Sequence, residues 1–373
     1  MGEGKKGTFQ LREVHRLLTQ RKGNEAQMLL AQLSGEPLVN RNELTYLQAW
    51  LAVAQEDWEN IALLLRDAPA LLPQEEQDSL LTNGSVRRRR PMCLLILGEM
   101  ARELEYPEEA IEHIQHSLTL LNERRMNIPE VRLLAHCSLG RLALDMNQTA
   151  QALTQYETAL HLYNDQETGS ALRTAVLTGL CDTQMRLEQF EQALDTGKRA
   201  LASLEADDEE HLLVLLSHIC LAMGDSASAL VYAQDAKNAA NQSKDVMRVA
   251  HTLLVLAEIQ QKECFDAQDA RANCEQALAL LAQTPEQPLN GTALFLLGKI
   301  AECEWSRSRE KIPAANEAQA RYEQARAFFT EQHDTASLAK VSRQLAQLLE
   351  ERGEPEQALI YWKQAFMLTE QYN

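Results

Sequence analysis

The sequence predicts an all-α protein built from about nine antiparallel helix hairpins, and two observations carry this prediction. The 373 residues contain only 12 Val and 10 Ile, whereas Leu, Ala, Gln and Glu, which tolerate helix interiors, dominate. Pairs of small residues seven positions apart also recur along the chain, and residues seven apart lie on nearly the same face of a helix. Both observations argue against a sandwich, a barrel or a large parallel sheet.

The paired small residues mark the second helix of each unit, and another small residue, usually twelve positions before the pair, marks the first helix. Turn residues such as Asn147, Gly224 and Gly353 separate the two helices in some copies. The first-helix landmarks are Gly98, Gly140, Cys181, Ser217, Ala257, Gly298 and Ala346. The second-helix landmarks are Ala110 with Ser117, Ala152 and Ala159, Ala193 and Ala200, Ala229 and Ala236, Ala270 and Ala277, Ala318 and Ala325, and Ala358 and Ala365. The pattern in each unit therefore predicts a helix, a tight turn and a second helix.

This pattern resembles the tetratricopeptide repeat (TPR), which has a small residue in its first helix, two Ala seven apart in its second, and an aromatic between them. The aromatic is Tyr156, Tyr322 and Trp362 in three copies here. The Trp and Pro at the two ends of the family's unit are mostly missing, and the landmarks are 36 to 48 residues apart, against about 34 in the family. The resemblance implies a right-handed superhelical solenoid whose concave face, lined by the first helices, binds a protein or peptide segment.

Units near 40 residues resemble a narrower group, the TPR sensor domains of bacterial helix-turn-helix and MalT-like regulators. We therefore keep two functional hypotheses. The first is a non-enzymatic scaffold, and the second is the ligand-sensing module of a transcriptional regulator that responds to a peptide or small molecule. Whether the chain is a whole protein or a domain of a longer regulator would decide between them.

The chain is expected to form one continuous array, apart from a disordered start at residues 1–10. Within residues 11–373 the pattern predicts two divergent hairpins over 11–68, a linker over 69–91, and seven phased hairpins over 92–373. The last hairpin has no polar capping helix after it, which suggests a homodimer through that end or a missing segment.

The net charge of −18 argues against general nucleic-acid binding, which needs a positive field. The basic run Arg87, Arg88, Arg89, Arg90 in the linker is the local exception. It predicts either a solvated loop that pairs with the protein's own acidic surface or a contact for an acidic partner. Direct nucleic-acid binding by this chain is not expected.

No motif of a catalytic or cofactor site is present. The glycines form no phosphate-binding loop and no nucleophile elbow, and His113 and His116 have helical spacing but no further ligands nearby in the sequence. The seven cysteines include no Cys-x-x-Cys pair and predict reduced core residues. We therefore expect no cofactor, no metal, no enzymatic activity and, since no apolar run is long enough for a membrane span, a cytoplasmic protein.

The family geometry places a set of side chains on the concave face. The first group is the residue that directly follows each first-helix landmark. In two units we add the residue three positions before the landmark. The candidates for partner contact are Glu99, Arg141, Asp182, His218, Glu258 and Lys299, with Phe295 and Arg343 beside them. Mixed charges with apolar neighbours suit a peptide or a helical segment, although any exposed helix face has a similar composition.

Overall fold

The computed structural model describes residues 3–33, 40–66, 77, 81, 86–123, 128–164, 170–204, 209–243, 245–262, 267–282, 287–308 and 312–370. Within these ranges the chain forms 18 α-helices and no β-strand, which confirms the all-α prediction. The chain divides after Gln189 into two compact units, unit 1 (Met1–Gln189) and unit 2 (Phe190–Asn373).

Unit 1 contains nine of the described helices. They are α1 (Glu3–Thr19), α2 (Gly23–Leu33), α3 (Arg41–Ala54), α4 (Trp58–Leu64), α5 (Val86–Glu103), α6 (Pro107–Glu123), α7 (Pro129–Asp145), α8 (Thr149–Asn164) and α9 (Ser170–Arg186).

Unit 2 contains the other nine. They are α10 (Phe190–Leu201), α11 (Glu209–Ala222), α12 (Ser226–Ser243), α13 (Val246–Lys262), α14 (Ala267–Leu281), α15 (Pro288–Arg307), α16 (Ile312–Glu331), α17 (Thr335–Glu351) and α18 (Pro355–Glu370).

Consecutive helices pack as hairpins, and each hairpin packs on the next through its second helix. In unit 1, α6 contacts α7 and α8 contacts α9, while the first helices α5, α7 and α9 also contact one another in sequence. Unit 2 repeats this arrangement, with α11, α13 and α15 in contact along one side. We call the surface lined by the first helices, within either unit, the first-helix face.

The landmark residues are buried where these helices meet. Gly98, Gly140 and Gly298 are buried, and the Ala and Cys landmarks are at most 3% exposed. Small residues are needed there because a second backbone or an aromatic ring occupies the adjacent space. A Cβ atom on Gly140 would lie 2.7 Å from the Tyr156 ring, and one on Gly298 would lie 2.5 Å from the Tyr322 ring.

The tight turns are closed by a residue in the left-handed region. Gly224 and Gly353 both have φ of +80° with open space around them, so glycine serves there for its backbone freedom. Asn147 has the same role, with φ of +58°, and the amide of Gln148 donates to the Ala143 carbonyl at 2.7 Å. The turns predicted from the sequence at these three positions are therefore confirmed.

Two boundaries differ from the prediction. Helix α1 begins at Glu3, so residues 3–10 extend the first helix instead of being disordered. Most of the predicted linker at 69–91 lies outside the described residues, but α5 already begins at Val86, so the arginine run and Pro91 are helical.

The cysteine prediction holds for five of the seven residues and fails for one, and the seventh, Cys264, lies outside the described residues. Cys93, Cys137, Cys181, Cys220 and Cys274 are free and buried. Cys303 instead takes part in a disulfide bond, a pairing that spacing along the sequence could not indicate.

Candidate functional site

In unit 1 the first-helix face carries a chain of ion pairs centred on Glu99. The Glu99 carboxylate is 2% exposed and lies 2.9 Å from Arg102 Nε and 3.5 Å from Arg141 Nη2. Arg102 also reaches Asp145 at 3.2 Å. Glu99 was expected to contact a partner directly, but its carboxylate is buried between two arginines, and the Arg141 side chain beside it stays 45% exposed. A role for either residue in partner contact stays a prediction.

Asp182 continues this chain on α9. It pairs with Arg186 at 3.1 Å, and Arg186 Nη1 donates to the Leu144 carbonyl at 3.5 Å. The Tyr156 hydroxyl lies in the field of Arg141, Asp182 and Glu99, and its pKa is raised mainly by burial. The charges of Glu99, Arg102, Arg141, Asp145, Asp182 and Arg186 on this face therefore largely satisfy one another.

In unit 2 two lysines lie over one aromatic ring. Lys299 Nζ is 5.8 Å and Lys340 Nζ is 5.3 Å from the centroid of Phe295, which is 6% exposed, and both distances suit a cation–π contact. Burial lowers the pKa of Lys299, although Glu258 and Glu302 oppose that shift. The predicted pair Phe295 and Lys299 thus lies together, and Lys340, which the sequence reasoning missed, completes it.

Glu302 lies within electrostatic reach of Lys299 and is held in place by hydrogen bonds. Its carboxylate accepts hydrogen bonds from the Tyr322 hydroxyl and from Gln344 Nε2, the latter at 3.0 and 3.1 Å. Burial raises the pKa of Glu302, and the Tyr322 and Gln344 bonds oppose that rise. The Tyr322 ring packs against Phe295 with centroids 5.6 Å apart, so one network fixes α15, α16 and α17 relative to one another.

The remaining candidates of unit 2 lie in less distinctive surroundings. His218 and Glu258 are half-buried, and burial lowers the pKa of His218 while Glu258 opposes the shift. Arg343 is exposed on α17. Their role in partner contact stays a prediction.

The basic run is helical, with only part of it described at side-chain level. The Arg90 guanidinium lies 4.8 Å from the centroid of Trp58, a contact that offsets the cost of placing a cation near a helix N-terminus. A role for Arg87 to Arg90 in binding an acidic partner stays a prediction.

His113 is part of an aromatic cluster. It is 5% exposed, its Nε2 lies 3.5 Å from the Tyr46 hydroxyl, and its ring is T-shaped against Trp50 at 5.5 Å. His116 is exposed on the next turn. The described residues contain no group of three or more His, Cys, Asp or Glu side chains placed to hold a metal ion.

Acid is expected to destabilise the fold through His113. Burial lowers its folded pKa to about 4, below the unfolded value of about 6.5. The unfolded state therefore binds the proton more readily, and up to roughly 3 kcal/mol is lost as the pH falls from 6.5 to 4. His113→Phe should flatten urea-derived stability over that pH window, whereas His116→Phe should not; equal slopes in wild type and His113→Phe would contradict this.

None of the helices in the described ranges combines the length and apolar character that crossing a lipid bilayer requires.

No protein-family model and no curated protein sequence matches the chain. Three solved structures share its fold over nearly its whole length. The apo form of RapI is 12% identical with a TM-score of 0.61, covering 98% of each chain. The apo quorum sensor NprR from B. thuringiensis is 14% identical with a TM-score of 0.63, covering 98% of this chain and 99% of that one. Aspartyl phosphate phosphatase F from Bacillus subtilis is 13% identical with a TM-score of 0.60, covering 99% and 95%.

Identities this low establish the fold alone. The resemblance to MalT-like regulators stays a prediction. Paired helices, buried small landmarks and these structural neighbours together show that the chain has the fold of TPR-like repeat proteins.

Proposed function

We propose that this protein is a non-enzymatic scaffold that binds a peptide or protein segment on the first-helix face of unit 2. The observation that carries the proposal is the position of Lys299 and Lys340 over Phe295. Neither lysine has an ion-pair partner within 4.0 Å among the described carboxylates. A partly desolvated cation without a partner costs free energy that an incoming carboxylate would recover.

The local charge selects the kind of segment. Lys262 and Lys340 lie within electrostatic reach of Lys299, as do Glu258 and Glu302, and Glu351 lies within reach of Glu302. Glu302 already accepts hydrogen bonds from Tyr322 and Gln344. In a chain with a net charge of −18, this grouping of three lysines is a local exception. The proposed ligand is therefore an acidic segment whose carboxylates face the lysines, with Arg343 extending the basic surface.

Two structures with this fold are named as complexes, and one of them is named as a complex with a peptide. A Rap protein complexed with competence and sporulation factor has a TM-score of 0.51, and a Rap conjugation gene regulator of plasmid pLS20 with the Phr* peptide has one of 0.53. They support peptide binding as a use of the fold. One neighbour is named a phosphatase. The absence of enzymatic activity in this chain stays a prediction.

The alternative hypothesis, a sensor module of a transcriptional regulator, would use the same face. We do not favour it, because nothing in the geometry of the described residues points to a DNA-binding output. A cytoplasmic location stays a prediction.

Charge reversal tests the proposed site. Peptides selected on the protein from a random displayed library should be enriched in Asp and Glu. Lys299→Glu with Lys340→Glu should weaken the selected peptides by at least about tenfold, since each 1.4 kcal/mol of lost interaction is a factor of ten. Fluorescence anisotropy with a labelled peptide measures this.

The matched control is Lys198→Glu with Lys363→Glu, which makes the same charge change at exposed lysines elsewhere in unit 2. Enrichment of neutral or basic sequences, or an equal loss in the control, would contradict the proposal.

Self-association through α18 is a second proposal. Leu359, Ile360, Phe366 and Met367 are each more than half exposed on this helix. Phe366→Glu with Met367→Glu should convert a dimer to a monomer in light scattering, while Leu230→Glu with Val231→Glu should not. A monomeric wild-type protein at high concentration would rule the dimer out.

A further inference from the structure

Unit 1 contains a cleft of about 810 Å³ at its N-terminal end, which we call the N-terminal cleft. Three elements form its walls: the end of α1 with the turn into α2, the last turns of α3, and the first turns of α6. The lining residues that matter here are Arg21, Lys22, Trp50, Glu108 and Glu112. A volume of this size is within the range of about 300–1,000 Å³ typical of small-molecule sites.

The aromatic wall is held rigidly from behind. Trp50, which is half-exposed, has the rings of His15 at 5.4 Å, Tyr46 at 5.7 Å and His113 at 5.5 Å against it. His15 in turn stacks on Tyr106 at 4.3 Å. The indole is therefore fixed before any ligand arrives, which lowers the entropic cost of binding.

The polar walls are mostly acidic, and part of that charge is unpaired. Four lining residues are Glu and two are Arg or Lys. Glu109 pairs with His15 at 3.1 Å, and Glu25 lies 3.9 Å from Lys22. Within the described residues, Glu108 and Glu112 have no ion-pair partner within 4.0 Å, and both lie on α6 one turn apart.

We propose that the N-terminal cleft binds a small organic cation, a guanidinium or ammonium compound, between Trp50 and the carboxylates of Glu108 and Glu112. An indole face and carboxylates both attract a soft cation. A metal ion fits less well, because the described residues contain no cluster of three ligating side chains. An anion would meet a carboxylate excess, and a purely apolar ligand would desolvate several charges. The inference does not rest on the proposed function, because the cleft lies in unit 1 and the two lysines lie in unit 2.

Arg21 and Lys22 also line the cleft, and they directly precede the N-terminus of α2. These two cations could bind a carboxylate of the ligand, so the experiment also compares probes with and without a carboxylate. Agmatine has the guanidinium without the carboxylate, arginine has both, and citrulline has the carboxylate with a neutral urea group in place of the guanidinium. Isothermal titration of the full chain with these three probes separates the contributions.

We expect agmatine and arginine to bind and citrulline to bind at least about tenfold more weakly, equivalent to one lost charge interaction. Glu108→Gln with Glu112→Gln should weaken agmatine to a similar extent while the melting temperature stays unchanged, since both side chains are on the surface. The matched control, Glu103→Gln with Glu157→Gln, removes the same charge from exposed positions of unit 1 and should leave binding intact. Trp50→Phe should retain part of the affinity and Trp50→Leu should lose it.

Three results would overturn the inference: no heat from agmatine or arginine at about 10 mM, where even weak sites with millimolar Kd fill; equal binding of citrulline and agmatine; or an equal loss in the control variant.

Discussion

Replacing Tyr322 by alanine is expected to lower the free energy of unfolding by about 3–5 kcal/mol, the range for truncating a large buried aromatic side chain. The Tyr322 side chain is completely buried, its ring packs against Phe295 and fills the space over Gly298, and its hydroxyl donates to Glu302. The substitution therefore opens a cavity and leaves a buried carboxylate with fewer donors. Urea denaturation followed by far-UV circular dichroism measures the change.

Tyr322→Phe separates the two causes. It keeps the ring and removes only the hydroxyl, so we expect about 1–3 kcal/mol, the cost of leaving a buried acceptor short of a donor. The pKa of Glu302 should rise further, because one of the bonds that favours its charged form is lost. Tyr232→Ala on the half-exposed side of α12 is the control and should cost much less. If Tyr322→Phe cost as much as Tyr322→Ala, the ring packing described here would be wrong.

The second large effect is expected at Gly179. A Cβ atom there would lie 2.2 and 2.3 Å from two atoms of the Tyr156 ring, closer than atoms can approach. Gly179→Ala should therefore destabilise the protein by about 3 kcal/mol, the upper part of the range for overpacking. The sign is diagnostic, because Gly→Ala inside a helix without a clash stabilises by up to about 1 kcal/mol.

Two further variants identify the cause. At Gly23 the nearest atom to an added Cβ is 3.5 Å away, so Gly23→Ala should be nearly neutral. Tyr156→Leu should restore part of the stability lost in Gly179→Ala, since it removes the ring atoms that clash. Additive effects in this pair would show that the ring does not contact Gly179.

The helical hairpins could be predicted because their signal is local. Small residues seven apart, together with left-handed turn residues such as Gly224 and Gly353, depend only on a helix and its own turn. The contact between Gly179 and Tyr156 could not be predicted, because it joins two hairpins and the landmark of that unit was placed on Cys181. The missing information is the rotation of each helix about its axis, which the spacing of small residues along the sequence does not fix.

The sequence predicted the helix face on which the candidate side chains lie better than it predicted which of them are accessible to a partner. Phe295 and Lys299 do lie together, because both follow from the register of one helix. Glu99 occupies the expected helix face, but its accessibility depends on Arg102 three residues later and on Arg141 from the next hairpin. Burial of a charged side chain is decided by such neighbours, and a single register position contains no information about them.

The Tyr156 ring lies against Gly140 of α7 and Gly179 of α9, and it comes from α8. One side chain thus packs against glycines from two hairpins. The hairpin α7–α8 is therefore not a module that can be exchanged by itself. A protein engineer who deletes, duplicates or transplants it must move the ring and both glycines together, and a cut placed between α8 and α9 would separate Tyr156 from Gly179. At this junction the unit that must be kept intact is the interface between the two hairpins, and not a single hairpin.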